Sequence, residues 1–180
     1  MKDNDARAAE ELFPSGHQPP SDYQRPAEHQ RIVRDKDIAV PMRDGVNVVV
    51  DVYRPDAAGR FPVLFAFGVH SKELQGNELP QVFPPQPSWS SLWLGHAEAG
   101  DTEFFVSRGY VHVIGSPRGY LKSGDGGSRE WDSYDVIEWI AQQPWCDGNI
   151  GMVGIGAFAS EQFHACLLYT SDAADDLTRV

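Results

Sequence analysis

The sequence predicts an α/β protein, an open and mostly parallel sheet flanked by helices and entered through an antiparallel edge hairpin. Two patterns predict it. The apolar runs "FPVLFAFG", "YVHVIG" and "NIGMVGIG" show no alternation and are separated by stretches of helical character, which is the order that strand–helix–strand units require. Ahead of them stands a strand of strict alternation, Val46, Val48, Val50 and Val52, as expected where one face of a sheet meets the core.

Residues 1–36 are polar and proline-punctuated ("PSGHQPPSDYQRPAEHQ"). Such a stretch buries too little apolar area to offset chain entropy and reads as a flexible leader. The domain proper is expected over residues 37–165. It opens with a turn at Arg43-Asp44-Gly45 that leads into the alternating valine strand, together a half-buried edge hairpin. "FPVLFAFG" belongs in the middle of the sheet, because a run without alternation is apolar on both faces.

The segment from Val69 to Gly100 is irregular, with Pro80, Pro84, Pro85 and Pro87 among Phe83, Trp89 and Trp93. Loops of that length are either substrate-side excursions or packed surface loops. Asp101 is placed to cap a helix over "TEFFVSR" that Gly109 stops, and the strand "YVHVIG" follows. A second helix, capped by Ser128, carries Trp131, Tyr134, Ile137 and Ile140 at helical spacing and ends before Pro144. "NIGMVGIG" then reads as another buried strand running into a helix.

Composition narrows the partners. The net charge of −11 argues against nucleic acid and against anionic membranes, since phosphate binding needs clustered Lys and Arg. Cys146 and Cys166 are the two cysteines, too few for a disulfide framework, and the polar start has no signal-peptide core, so a cytoplasmic chain is expected. No apolar run approaches the roughly 20 residues of a membrane span. The six histidines show no metal-ligand spacing, and "GDGG" at 124–127 does not bridge a strand and a helix as a phosphate loop does. Neither a metal nor a cofactor is expected.

In an open α/β sheet the reactive groups gather at the carboxyl ends of the strands. Here those ends are Gly68 to Ser71, Ser116 to Tyr120 and Gly154 to Ala159. Taken with "MRDGVNVVVDVYRP", "FPVLFAFGVHSKELQG", "FFVSRGYVHVIGSPRG" and "EWIAQQPWCDGNIGMVGIGAFASEQFHA", they resemble the cocaine-esterase and Xaa-Pro dipeptidyl-peptidase (CocE/NonD, S15-like) branch of the α/β-hydrolases. The resemblance covers about residues 40–165 and implies a serine acyl hydrolase acting on esters or on amides after proline. It implies a strand-to-helix elbow that lifts a serine above the sheet.

Aligned on that elbow, Gly156 stands at the nucleophile position with its side chain absent, Ala157 where tyrosine is usual, and Ala159 at the trailing glycine. Ser160 lies one helical turn on and is a poor alternative nucleophile by geometry. The resemblance further implies an oxyanion hole made by the Ala157 N–H and a tyrosine hydroxyl. His70 replaces that tyrosine, and imidazole can also donate one hydrogen bond. Lys72 matches a family lysine and reads as structural. Ser116 replaces an acid before Arg118, which is expected to pair with Asp132 or Asp135.

The acid and histidine that should follow the nucleophile have no place after Gly156, since His164 lies on the same helix. "CLLYTSDAADD", residues 166–176, looks like a translated sequencing adapter, so residues 166–180 read as an artefactual tail. On this reading the sheet is cut after the elbow strand and helix, and an exposed apolar edge with poor solubility is expected. Three accounts of Gly156 follow. The chain is an inactive N-terminal portion of a hydrolase whose complete form takes a small ester or peptide, or a non-catalytic binding protein on the same fold, or a hydrolase whose serine codon was misread by one base.

Overall fold

The computed structural model describes residues 26–75 and 98–176. Residues 1–25 of the leader, most of the long proline-rich loop and residues 177–180 lie outside the described residues. Along the described chain run β1 (Ile32–Pro41), β2 (Asn47–Pro55), β3 (Phe61–Phe67), a 3-10 turn (Lys72–Gln75), α1 (Thr102–Ser107), β4 (Val111–Ser116), α2 (Asp132–Ala141), β5 (Cys146–Met152) and α3 (Ala157–Asp176).

The strands form one sheet in the order β1-β2-β4-β3-β5. β2 is antiparallel to both β1 and β4, whereas β3 is parallel to β4 and to β5. The chain is therefore α/β as expected, a mixed sheet with flanking helices. Because β3, β4 and β5 are parallel, their carboxyl ends meet at one side of the sheet.

One face of the sheet packs Val48, Val50, Val52, Val63, Phe65, Val111 and Val113 against Val136, Ile137 and Ile140 of α2 and Ala165 of α3. A second cluster joins Tyr53, Ala66 and Ile114 to Ala99, Val106 of α1 and Phe158. Each large apolar side chain so buried contributes roughly 1.5–3 kcal/mol.

Local signals account for most boundaries. Asp101 caps α1, its carboxylate accepting from the Phe104 N–H at 3.0 Å, and Gly109 leaves the helix at φ 82°. The turn at 43–45 closes with Met42 N donating to Val46 O and Gly45 N to Met42 O. Arg43 at its tip grips Asp135 of α2 through Nε and Nη2 at 3.0 and 2.8 Å. Its guanidinium also lies 4.0 Å from the Trp131 ring centroid, which pins the turn to the helix.

Four expectations change. β1 begins at Ile32, inside the stretch read as leader, because Ile32 to Asp35 pair with Pro55 to Val52. The hairpin is not an edge on both strands. β2 lies between β1 and β4 and is buried from Val48 to Tyr53 on both faces, the second face being lined by groups that look polar in sequence. Ser128 does not cap α2. The helix starts at Asp132 after Trp131, which makes no side-chain cap, and the Ser128 hydroxyl only accepts weakly from Glu130 N at 3.4 Å. β5 borders the sheet on the far side, so Asp147, Gly148, Asn149 and Gly151 are exposed where a buried strand was expected.

The second face of β2 is organised by a buried ion pair. The Lys72 and Asp51 side chains are 2% and 1% exposed and lie 2.9 Å apart. Lys72 Nζ also meets Asp37 at 2.8 Å and Glu73 at 2.9 Å, while the other oxygen of Asp51 meets Lys36 at 2.8 Å. Burial alone would lower the Lys72 pKa. The carboxylates of Asp37, Glu73 and Asp51 outweigh it and raise the ammonium above the ordinary lysine value, so Lys72 stays charged.

A bulge between Asp35 and Ile38 supplies one of these partners. It turns Asp37 into the left-handed region at φ 57°, a conformation that aspartate tolerates better than most residues. The Asp37 N–H, released from the strand ladder, donates to Asp51 Oδ1 at 2.9 Å. Its carboxylate accepts from Lys122 and Lys72, which hold its pKa down from 3.8 to about 2.

Two outcomes are expected. Lys72→Met leaves Asp51 buried beside a lost cation and should destabilise the protein by roughly 3–5 kcal/mol in denaturant unfolding; a loss below about 1 kcal/mol would refute the role given to the pair. The Asp37 contribution has the sign of a depressed carboxyl. It is present above the unfolded pKa near 3.8 and is lost as pH falls through about 2. Asp37→Asn should therefore lose less stability than the parent between about pH 4 and pH 2, and equal losses would count against it.

Candidate functional site

The turn from β5 into α3 is built on glycine. The Val153 N–H donates to Phe65 O at 2.9 Å and carries the β3–β5 ladder one residue past β5. The backbone then turns through Gly154 at φ 153° and Gly156 at φ 60° before α3 begins at Ala157. Residue 156 thus occupies a left-handed position that disfavours any side chain by about 1–2 kcal/mol.

Phe158 fixes the other side of the corner. Its ring is fully buried and fills the space that two glycines leave open. A Cβ on Gly68 at the end of β3 would lie 2.4 Å from the ring, and one on Gly154 would lie 2.3 Å from the Phe158 Cβ. The corner of α3 can approach the end of β3 because neither position carries a side chain.

The space over Gly156 is filled by a residue from the loop before α1. A Cβ at position 156 would stand 2.8 Å from Glu98 Oε1. Glu98 is held by three residues. Its carbonyl accepts from the Ile155 N–H at 3.1 Å. The amides of Glu98 and Ala99 both donate to Oε1 of the buried Gln75, at 2.7 and 3.0 Å. Its other carboxylate oxygen lies 2.6 Å from His70 Nδ1.

The expected site residues fall around this point. His70, half-exposed at the end of β3, faces Glu98. The ionised carboxylate only accepts, so the Nδ1 proton belongs to that contact and the neutral ring offers Nε2 as an acceptor. Donation by His70 to an oxyanion therefore requires the imidazolium. Ala157 is the first residue of α3, where backbone N–H groups have no partner within the helix. Ser160 is exposed one turn along, with its Oγ 3.5 Å from Gly156 O. It folds back on its own helix.

The other two strand ends act as supports. Ser116 Oγ accepts from the Lys72 N–H at 2.9 Å, which anchors the segment carrying His70 to the end of β4. Arg118 pairs with Asp132, with 2.8 Å from Nε and 2.7 Å from Nη2, and with Asp44 at 2.7 Å. These carboxylates raise its pKa further above its ordinary value. Asp135, the other candidate partner, is taken by Arg43. Among the described residues no group of His, Cys, Asp and Glu is placed to hold a metal ion, and no helix is long and apolar enough to cross a membrane.

Glu98 and Gln75 are absent from the sequence reading. Glu98 sits 28 positions from His70, and no local periodicity connects the two. The only signal was its place just ahead of the Asp101 cap, which brings the chain back to the strand ends.

Comparison with known proteins gives the family. The family model of the X-Pro dipeptidyl-peptidases (S15 family) matches residues 44–166. The chain is 37% identical over 135 residues to a cocaine esterase from Rhodococcus sp. (strain MB1 Bresler), a match that takes in 72% of this chain and 20% of the esterase. It thus spans about a fifth of the length of that relative. A solved CocE/NonD family hydrolase from Staphylococcus aureus superposes with a TM-score of 0.65 at 32% identity, over 78% of this chain and 26% of that one. An aminopeptidase from a marine sediment archaeon shares the fold at a TM-score of 0.53 and 20% identity.

The corner itself is open to test. Gly68→Ala should destabilise the fold by roughly 1–3 kcal/mol, because the buried Phe158 ring cannot retreat. Adding Phe158→Leu should recover part of that loss in thermal unfolding; a double variant as unstable as the sum of the two single changes would contradict the packing described.

Proposed function

The chain belongs to the X-Pro dipeptidyl-peptidase (S15) family, and from that premise we propose that it is the N-terminal part of an acyl hydrolase with no covalent nucleophile. Residues from β1 to about 165 make up the part of the hydrolase domain that carries the elbow, and the small share of the relative's length that they span supports this reading. The substrate class is a small ester or an amide after proline, taken up by the complete protein. The family model supports the amide and the cocaine esterase supports the ester. The sparse cysteines favour a reducing, cytoplasmic setting.

The single observation that carries the chemistry is Gly156. Position 156 has the left-handed backbone of an elbow and stands beside the first amide of α3, but glycine has no oxygen to attack a carbonyl. An acyl-enzyme cannot form there, and loss of the nucleophile removes nearly all of the rate that a triad provides. Ser160 does not replace it, because its hydroxyl lies along α3 and not over the corner.

A second reading is favoured by Glu98. A carboxylate held over the nucleophile position repels an incoming carbonyl oxygen and leaves a cleft that binds without turning over. On that reading the protein is a non-catalytic member of the fold that holds a ligand at the strand ends.

The full-length gene product, resequenced at codon 156, separates these readings when assayed with a p-nitrophenyl ester and an Xaa-Pro anilide. The glycine protein should show no stoichiometric burst of p-nitrophenol and no labelling by a fluorophosphonate. Gly156→Ser should gain labelling only slowly, because the new side chain meets Glu98 and takes up a left-handed backbone. Gly156→Ser with Glu98→Ala should label faster than the single variant. A burst from the glycine protein would sink the proposal.

A further inference from the structure

We infer that the leader of this chain docks on the chain's own body, with Glu10 to Phe13 seated in a groove between α1 and the start of β1. The groove has a volume of about 900 Å³ and runs along α1 toward the amino end of β4, away from Gly156. Nothing in this docking depends on the chemistry of the corner.

The charges that line the groove leave a cation over. Arg31 pairs with Asp56 at 3.1 Å, Arg34 faces Glu103 at 3.7 Å, and the Asp101 carboxylate is engaged in capping α1. Arg108 meets no carboxylate among the described residues. Its guanidinium lies 3.8 Å from the Phe104 ring centroid and donates to Phe104 O and Ser107 Oγ at 3.2 and 3.3 Å. Arg108 is therefore a fixed, half-buried cation, and beside it Ala27, Ile32 and Phe104 give the groove an apolar floor.

The chain itself supplies the segment that fits. Residues 1–25 lie outside the described residues and join the body at Pro26, and Ala27 already lines the groove. The Glu28 and His29 amides both donate to Ser107 O, at 2.8 and 3.0 Å, which fastens this junction to the end of α1. Within the leader, Glu10, Glu11, Leu12 and Phe13 combine two carboxylates with two large apolar side chains. They complement a guanidinium set beside a phenyl ring and an isoleucine.

Reach and entropy agree with this occupant. Fourteen positions separate Phe13 from Ala27, up to about 50 Å of extended chain, whereas α1 is about 9 Å long. A tether of that kind holds the segment at an effective concentration of about millimolar, which favours it over a free partner. Pro14, Pro19 and Pro20 lie in the connection and reduce the chain freedom lost on docking.

The full-length protein is made with a benzophenone amino acid in place of Phe13, irradiated, and digested for mass spectrometry. Crosslinks from position 13 to residues 30–34 or 102–108 are expected, in a product of monomer mass. Arg108→Glu should lower their yield by about fivefold, the upper range for one ion pair at the surface. Glu10→Arg with Glu11→Arg in the Arg108→Glu protein should bring the yield back to within about twofold of the parent, and this exchange keeps the result readable where Arg108→Glu alone weakens the fold. A product of twice the chain mass would put the leader on a second copy and overturn the inference. Crosslinks that are absent or scattered over the surface also overturn it, as does a yield that Arg108→Glu leaves unchanged or that the charge exchange fails to restore.

Discussion

The structure depends on one buried charge. Lys72 projects from the 3-10 turn after β3 into the second face of β2, and there it meets Asp51, Asp37 and Glu73. A lysine and an aspartate taken out of water each carry a desolvation penalty of several kcal/mol, repaid only by close and multiple partners. That requirement accounts for the bulge in β1, which presents both the amide and the carboxylate of Asp37 to the network. It also fixes where the chain goes after β3, because Lys72 cannot leave its carboxylates without leaving buried Asp51 with the half-exposed Lys36 as its remaining cation. His70 lies two residues before this anchor and Gln75 three residues after it.

From the anchor the constraint passes to the corner through hydrogen bonds and packing. Gln75, buried with its amide oxygen turned to the loop, accepts from the Glu98 and Ala99 amides. Glu98 in turn accepts from Ile155 and meets His70. On the other side Phe158 closes Gly68 against Gly154. The ends of β3 and β5 are therefore held together twice, once by a polar clamp from the loop before α1 and once by an aromatic ring. Preorganisation of this kind fixes the relative positions of the side chains at the two strand ends.

Much of the fold was legible because its signals are local. Unbroken apolar runs gave β3 and β4, Asp101 and Gly109 bracketed α1, and Asp44-Gly45 gave the hairpin turn. The errors fall where a distant partner overrides a local signal. β2 looked half-buried because Asp51 and Tyr53 are polar, yet both are buried by lysines 36 and 72. Ser128 looked like a cap, but Asp132 at the true start of α2 is engaged by Arg118 from the end of β4. The strand-to-helix turn was legible through family resemblance, which also singled out His70 and Ala157. Glu98 was not, since its meaning arises only when the loop before α1 folds over a glycine 58 positions further along the sequence.

The glycine at 156 and the glutamate at 98 are best understood as one feature. A left-handed backbone at an elbow is tolerated with a side chain when that side chain performs chemistry that offsets the strain. Once the side chain is gone the strain disappears, and the vacated space is open to whatever the nearest loop presents. In water an exposed carboxylate would not settle over a cleft without a partner, and His70 supplies one. The tyrosine that the family resemblance implies at position 70 would donate through its hydroxyl alone, whereas imidazole donates through one nitrogen and keeps a basic nitrogen on the opposite side. The two departures from the family pattern, at 70 and 156, are thus chemically coupled through Glu98. Glycine at 156 admits the carboxylate, and the carboxylate orients the imidazole.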